Sequence, residues 1–398
     1  MNKILDRVDR IIKNTALLYG QVDQAGTPHD VIAEMVAQVP QELIKNNSVK
    51  DTFCGRGPIL GEAISIKLNL RATGDTDKDQ KILNEIVSNE IYGNDIDPAF
   101  ADIARSTMAR ITQKQSTINI DNQDGIMYNQ TMNIPNCISI TNPPYQPPRG
   151  VKKGGNFYKP HVLSEIKSCP LFGVTNIPMT FMVQDPLDTD NQDFRNKLLD
   201  AGLKKIKHVR ADAYSANVLT IYAVWEQGYT GTVEFQTYDT TDPTLYHSLQ
   251  VARADLYKMK LWPVARTQEE FDLAKQVLEY VKKKYPDIKN KKSQKNNWCV
   301  EFEYLIGMEK ERLNKMNPLR GVAKRGPTDT VRGGSLSKFI NVNTETEADS
   351  LVDFLNTVGQ PWFRTIPRGS SAENWMVGPL IEWWKEIHKP NPLFAVNK

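Results

Sequence analysis

Apolar residues along this chain follow two periods. Short runs bounded by turn residues, at 48–51, 90–95 and 137–140, have the length of buried strands. Between them the apolar positions recur every three or four residues. Leu60, Ala63, Ile64 and Leu68 share one helical face, and so do Ile103, Ala104, Met108 and Ile111. Residues 1–45 read as helical, with Val31, Ile32, Met35 and Val36 on one side. A third strand ending at 122–125 is weakly marked, because the run before it is polar. Downstream, 176–183 predicts another strand and 194–201 a short helix closed by Gly202. Runs 205–209 and 218–225 lie close enough to pair as an antiparallel edge. Strands alternating with helices in this way predict an α/β fold, built on a mostly parallel, doubly wound sheet with an antiparallel edge strand.

The pattern changes across a polar stretch at 230–250, which sets the expected division at 1–245 and 246–398. In the second part Thr267 with Glu270, and Thr344 with Glu347, read as capping boxes. They open helices carrying Phe271, Ala274, Val277, Leu278 and Val281, and Ala348, Leu351, Phe354, Leu355 and Val358. Gly359 reads as the end of the latter. A mixed α/β or α+β domain is expected there. A chain of 398 residues, 40% hydrophobic and 24% charged, suits two globular domains. No run approaches 18 apolar residues, so no membrane partner is expected. The first residues scatter charges among apolar ones, unlike a signal peptide. Cys54, Cys137, Cys169 and Cys299 stand far apart, which argues against a disulfide framework or a zinc site and fits a reducing cytoplasm; no metal is expected. Net charge is only +3, yet positions 253–338 hold 20 Lys/Arg against 11 Asp/Glu. That imbalance suits a polyanionic partner and equally a solvated basic face.

Chemistry concentrates at 137–145. A strand stops at Asn142-Pro143-Pro144-Tyr145. The two prolines fix φ near −65° and remove two backbone donors, so the carbonyls keep a set direction without a competing N–H. The Asn142 side-chain oxygen and the Pro143 carbonyl can then converge as two acceptors, with Tyr145 as a flat face beside them. Two acceptors and a ring suit a planar group bearing an NH2, on a base or an amide. Upstream, Asp51, Thr52, Phe53, Cys54, Gly55, Arg56 and Gly57 form a glycine-bearing turn after a strand, with Pro58 placed for the first helical turn. Such a turn lets a ligand approach the backbone, and the helix start favours an anion. Asp95 ends the next strand, where nucleotide-binding α/β folds hold ribose hydroxyls, although it lies 38 positions past Gly57. A polar insertion at 71–79 accounts for the extra length. Asp97 is placed to cap the following helix, and Thr27 with Pro28 to start an earlier one.

These pieces, in this order, resemble the N6-adenine DNA methyltransferases of gamma-type motif order, as found in type II restriction-modification. The motifs cover roughly 19–225. The resemblance implies a Rossmann-like class I methyltransferase sheet with S-adenosyl-L-methionine across its strand ends, followed by a C-terminal target-recognition domain. Thr27, Pro28 and the Asp51–Gly57 loop (Asp51, Phe53, Cys54, Gly55, Gly57) would hold the methionine end. Asp95 would take the ribose hydroxyls, Ile96 the adenine face and Asp124 its amino group. A target adenine flipped from duplex DNA would donate to Asn142 and the Pro143 carbonyl and stack on Tyr145, with Tyr214 as a second aromatic. Basic positions near glycines, Arg149, Lys152, Lys153, Arg320, Lys324, Arg325 and Arg332, would follow phosphates. A monomeric cytoplasmic enzyme of a bacterium or phage, with a restriction endonuclease on a separate chain, fits the same resemblance. Protein glutamine N5-methylation, RNA adenine methylation and a cofactor-dead DNA-binding module are the competing readings.

Overall fold

A computed structural model of the protein describes residues 3–18, 27–113, 117–132, 134, 136–145, 157–168, 171–210, 219–239, 242, 244–285, 288–289, 298–305, 320–327, 337–366 and 374–388. It divides into two bodies, Met1–Met179 with Asn196–Glu234, and Thr180–Arg195 with Phe235–Lys398.

In the first body α1 (Lys3–Leu18), α2 (His29–Val36) and α3 (Gln41–Asn46) precede β1 (Ser48–Asp51). Then follow α4 (Pro58–Arg71), α5 (Thr76–Asn89), β2 (Ile91–Asn94), α6 (Pro98–Ile111), β3 (Asn119–Asp121), α7 (Gly125–Thr131), β4 (Cys137–Thr141), α8 (Tyr158–Ser168) and β5 (Phe172–Pro178). The chain then passes through α9 (Thr180–Val183) and most of α10 (Thr189–Asp200), which belong to the second body, before β6 (Leu203–His208) and β7 (Thr220–Glu226) of the first. The strands are ordered β3-β2-β1-β4-β5-β7-β6. Neighbours from β3 to β5 are parallel, whereas β7 runs antiparallel to both β5 and β6. The sheet is therefore the expected mostly parallel, Rossmann-like α/β arrangement. Within this body the reversed strand, β7, lies between β5 and β6.

Helix α4 shows why the periodicity was readable. Leu60, Ala63, Ile64 and Leu68 are all fully buried in the core between helices and sheet. Burial of each larger side chain is worth about 1.5–3 kcal/mol. Gly61 has no room for a side chain, since a Cβ there would lie 2.8 Å from Ile12 of α1. The insertion expected at 71–79 is the lead-in to a whole helix, α5. Asp79 of that helix is buried and accepts from the Thr73 backbone N–H and hydroxyl and from the Gly74 N–H. The run 176–183 is not one strand: β5 ends at Pro178 and α9 begins at Thr180, because the proline ends the ladder.

The second body is α+β. It takes in most of β8 (Val233–Tyr238), then β9 (Tyr246–Val251), α11 (Arg253–Lys258) and α12 (Gln268–Glu279). A four-stranded antiparallel sheet follows, from β10 (Ile288–Lys289), β11 (Trp298–Leu305), β12 (Arg320–Pro327) and β13 (Ser337–Val342), in the order β10-β13-β11-β12. Helices α13 (Glu345–Asn356), α14 (Gly359–Arg364) and α15 (Asn374–Ile387) complete it. Thr344 and Glu347 form the capping box expected of them. Gly359 opens α14 instead of closing α13, whose C-cap is Thr357. Among the described residues no helix is long and apolar enough to cross a membrane.

Glycine is required where Trp225 of β7 lies over Gly173 of β5, since a Cβ at 173 would stand 1.9 Å from the indole. Gly173→Ala is expected to destabilise the protein by about 1–3 kcal/mol in urea titration. Trp225→Leu in the same chain should recover part of that loss.

Candidate active site

Between β1 and β4 the strand order reverses direction, and loops from their carboxyl ends splay apart. Open α/β sheets bind ligands at such a switch point. After β1, Gly55 and Gly57 take positive φ, +53° and +88°, and the Gly57 N–H donates to the Cys54 carbonyl at 2.7 Å. No atom lies within 4 Å of where a Gly55 Cβ would stand, whereas one on Gly57 would meet Met108 at 3.2 Å. The turn thus packs on α6 through Gly57 and leaves Gly55 open.

Two side chains fasten this turn to its neighbours. Buried Asn94, at the end of β2, donates to the Thr52 carbonyl at 3.1 Å and the Gln123 carbonyl at 3.0 Å, and accepts from the Gln123 N–H. Asp95 accepts from the backbone N–H of Gly55 at 2.8 Å and of Asp97 at 2.9 Å. Burial holds the Asp95 carboxyl above its ordinary value even so. Asn122 donates to the carbonyls of Asp95 and Ile96. Ile96 is thereby held out with 64% of its surface exposed, a projecting apolar face beside a polar rim. Asp97 caps α6 as its position implied. Asp124 does not end a strand, because β3 stops at Asp121. It caps α7 instead, accepting from the N–H groups of Ile126 and Met127.

After β4 the proline corner stands beside the start of α2. Asn142 Nδ2 donates to the Thr27 hydroxyl at 2.8 Å, and the Tyr145 hydroxyl donates to Asn142 Oδ1 at 2.8 Å. Thr27 therefore does not cap α2, whose N-cap position is Pro28 without a side-chain bond; its hydroxyl is turned to Asn142. Pro143 is buried and Pro144 exposed. No described donor reaches the Pro143 carbonyl.

Asp51 closes the site from below. It is fully buried, accepts from the Phe53 N–H at 3.1 Å through Oδ1, and has no described partner for Oδ2. The Thr141 hydroxyl, likewise buried, faces this carboxyl and favours its ionised form. Burial, helped by the nearby Glu165 and Asp95 carboxylates, pushes the Asp51 carboxyl up to about 8. A buried carboxyl short of a charged partner suits an incoming ammonium group. The Phe53 ring covers Gly125, where a Cβ would lie 2.6 Å away, and meets His161 of α8 edge-on at 4.9 Å. His161 is buried, its Nδ1 has no partner, and burial lowers its basicity.

The site thus brings together Thr27, Pro28, Asp51, Phe53, Cys54, Gly55, Gly57, Asp95, Ile96, Asp124, Asn142, Pro143, Pro144 and Tyr145 within the first body. Tyr214, Arg149, Lys152, Lys153 and Arg332 lie outside the described residues. Arg320, Lys324 and Arg325 lie on β12, where Lys324 pairs with Glu301 and Arg325 with Val300 in the backbone register. Asn94, Asn122, His161, Lys50 and Glu165 belong to the site's surroundings without having been singled out in the sequence. A lone lysine inside a buried strand was the one available signal.

No protein-family model matches the chain, nor does any curated protein. Among solved structures, the chain is similar to a protein from Vibrio vulnificus YJ016 named as a modification subunit of a type I restriction enzyme, at 16% identity and TM-score 0.43, over 57% of this chain and 50% of that one. It is also similar to a Listeria monocytogenes protein named as a class I S-adenosylmethionine-dependent methyltransferase (18%, TM-score 0.40, 56% and 70%). The M protein of the type I restriction enzyme EcoKI is a third (13%, TM-score 0.42, 94% and 76%). The chain spans about half the length of the Vibrio vulnificus subunit. These likenesses are loose, and the functional reading rests on the residues of the site.

Asp51 gives a pH signature. Below about pH 4 its carboxyl is protonated folded and unfolded alike. As pH rises toward 8 the unfolded chain ionises freely while the buried group resists, so its contribution to stability is lost across that window. Asp51→Asn cannot ionise. Its melting temperature in the ligand-free protein should exceed wild type by a margin that grows from pH 5 to 8 and levels off above. A margin independent of pH would show that Asp51 is ionised throughout.

Proposed function

We propose that this protein transfers a methyl group from S-adenosyl-L-methionine to N6 of an adenine in double-stranded DNA. The observation that carries the reading is the Asn142 corner standing at the switch point beside the Asp51–Gly57 turn. The residues fit the cofactor: a buried Asp51 carboxyl for its ammonium, open backbone at Gly55, the Asp95 carboxylate at a strand end, and projecting Ile96 for a base. When bound, it supplies an electrophilic methyl group on a sulfonium.

The chain's own work is on the acceptor. An exocyclic amine conjugated to a ring is a poor nucleophile because its lone pair is delocalised. Asn142 Oδ1 and the Pro143 carbonyl accept its two hydrogens, which draws nitrogen toward tetrahedral geometry and localises that pair. The Thr27 hydroxyl fixes the Asn142 amide for this, and the Tyr145 ring offers the base a face. On the proposal, 246–398 is a target-recognition domain with Arg320, Lys324, Arg325 and Arg332 near phosphates, while in the catalytic domain Arg149, Lys152 and Lys153 also follow phosphates and Tyr214 is a second aromatic at the flipped base. The protein would act as a monomer in a bacterial or phage-infected cytoplasm, with or without a separate restriction endonuclease.

Labelled cofactor offered with duplex DNA, single strands, RNA and protein tests the reading; label on duplex adenine N6 is expected, and label elsewhere only would overturn it. Asn142→Ala should lower transfer by about 10²–10³-fold while DNA affinity stays near wild type. Reversing charge at Lys324 and Arg325 should weaken DNA binding and flatten its salt dependence. Equal affinity at low salt would put the DNA on another surface.

A further inference from the structure

Beneath the site lies a polar cluster that the proposed reaction does not use. Lys50 of β1 and Glu165 of α8 each have 1% of their side chain exposed, and Lys50 Nζ stands 3.3 Å from Glu165 Oε2. The ammonium also donates to Asn129 Oδ1 at 2.6 Å and to the Ser168 hydroxyl at 2.7 Å. Glu165 Oε2 accepts from the Ser139 hydroxyl at 2.7 Å, and Oε1 from Asn129 Nδ2 at 2.8 Å. Asn129 Oδ1 accepts from the Thr52 hydroxyl as well, at 3.1 Å.

Stability alone gives no reason for this arrangement. Well-packed apolar side chains in place of a buried ion pair are commonly as stable or more so. What the cluster supplies is direction, because each bond fixes one element against another. Thr52 follows Asp51 in the cofactor turn, Ser139 lies three residues before Asn142, and Asn129 lies on the helix that Asp124 caps. Resting on the reading above, we propose that the buried Lys50–Glu165 pair, with Asn129, Thr52 and Ser139, is a positioning network that holds the cofactor turn and the acceptor corner in register for transfer.

Glu165 of the pair also adds to the burial that raises the Asp51 carboxyl. The groups facing that carboxyl are Glu165 from α8, Asp95 after β2, Cys54 and the Phe53 N–H in its own turn, and Thr141 of β4; Glu165 and Asp95 both favour its protonated form. Glu165→Gln removes the charge and turns one of the two acceptor oxygens into an NH2, so either Asn129 Nδ2 or the Ser139 hydroxyl and Lys50 lose an acceptor. Ser139→Ala removes one hydroxyl from the acceptor strand.

Both variants, as full chains, are tested by calorimetric titration with S-adenosyl-L-methionine across pH 6–9 and by single-turnover transfer. For Glu165→Gln the pH midpoint of cofactor affinity should move down. For Ser139→Ala the transfer rate should fall by about fivefold or more with cofactor affinity within about twofold of wild type. A Glu165→Gln profile superimposed on wild type, or wild-type transfer by Ser139→Ala, would overturn the network. Wild type binding the cofactor but methylating no duplex DNA would instead sink the functional reading, and the Glu165→Gln binding profile would still decide the network.

Discussion

Everything at this site depends on how the backbone is satisfied where parallel strands end. A loop leaving a buried strand carries N–H and C=O groups that need partners away from water. Here side chains supply them. Asn94 takes carbonyls from two loops and an N–H from one of them, and Asp95 takes the N–H groups of Gly55 and Asp97. With its edges fastened, the Gly55 turn holds its left-handed conformation without being filled by side chains. A rigid turn that stays open is what a ligand with many polar groups requires, since ordering the loop on binding would subtract from affinity.

The same frame explains the unfavourable groups. Asp51 is buried without a described cation beside it, held by the Phe53 N–H and facing the Thr141 hydroxyl, while Glu165 is partnered by Lys50, Asn129 and Ser139. Satisfied buried networks specify geometry; unsatisfied buried groups mark where something else belongs. Asp51 ends β1, and Glu165 reaches from α8 to Lys50 of β1 and Ser139 of β4, so the carboxyl at the switch point stands on a satisfied scaffold.

Much of this was legible in the sequence, and the omissions have physical causes. Strands β1, β2 and β4 were readable as short runs buried on both faces between turn residues, and helices α4 and α6 because each buries one face. Helix α5 was obscured by its polar entry, although Asp75 caps it and Leu83, Ile86 and Val87 are buried. The run 176–183 merged a strand and a helix because both are apolar, and only Pro178 marks the change. Thr27 looked like a cap because Thr-Pro commonly begins a helix. Its partner Asn142 is 115 residues away, a contact no local pattern can reveal. Lys50 and Glu165 are separated by a similar distance in sequence, and only the pairing of β1 with β4 brings α8 within reach of both.

The asparagine corner then has a consequence for how a substrate would enter. Its oxygen is not idle, because the Tyr145 hydroxyl already donates to it at 2.8 Å. An amide oxygen has two acceptor positions, so one remains for an incoming N–H. If the tyrosine swings away, one neutral hydrogen bond is exchanged for another, which changes little in net free energy. Either way the acceptor is kept oriented from both ends, by Thr27 on nitrogen and Tyr145 on oxygen, before any base arrives. The amide therefore need not be ordered during the reaction, and its dipole can act on the amine as nitrogen changes geometry.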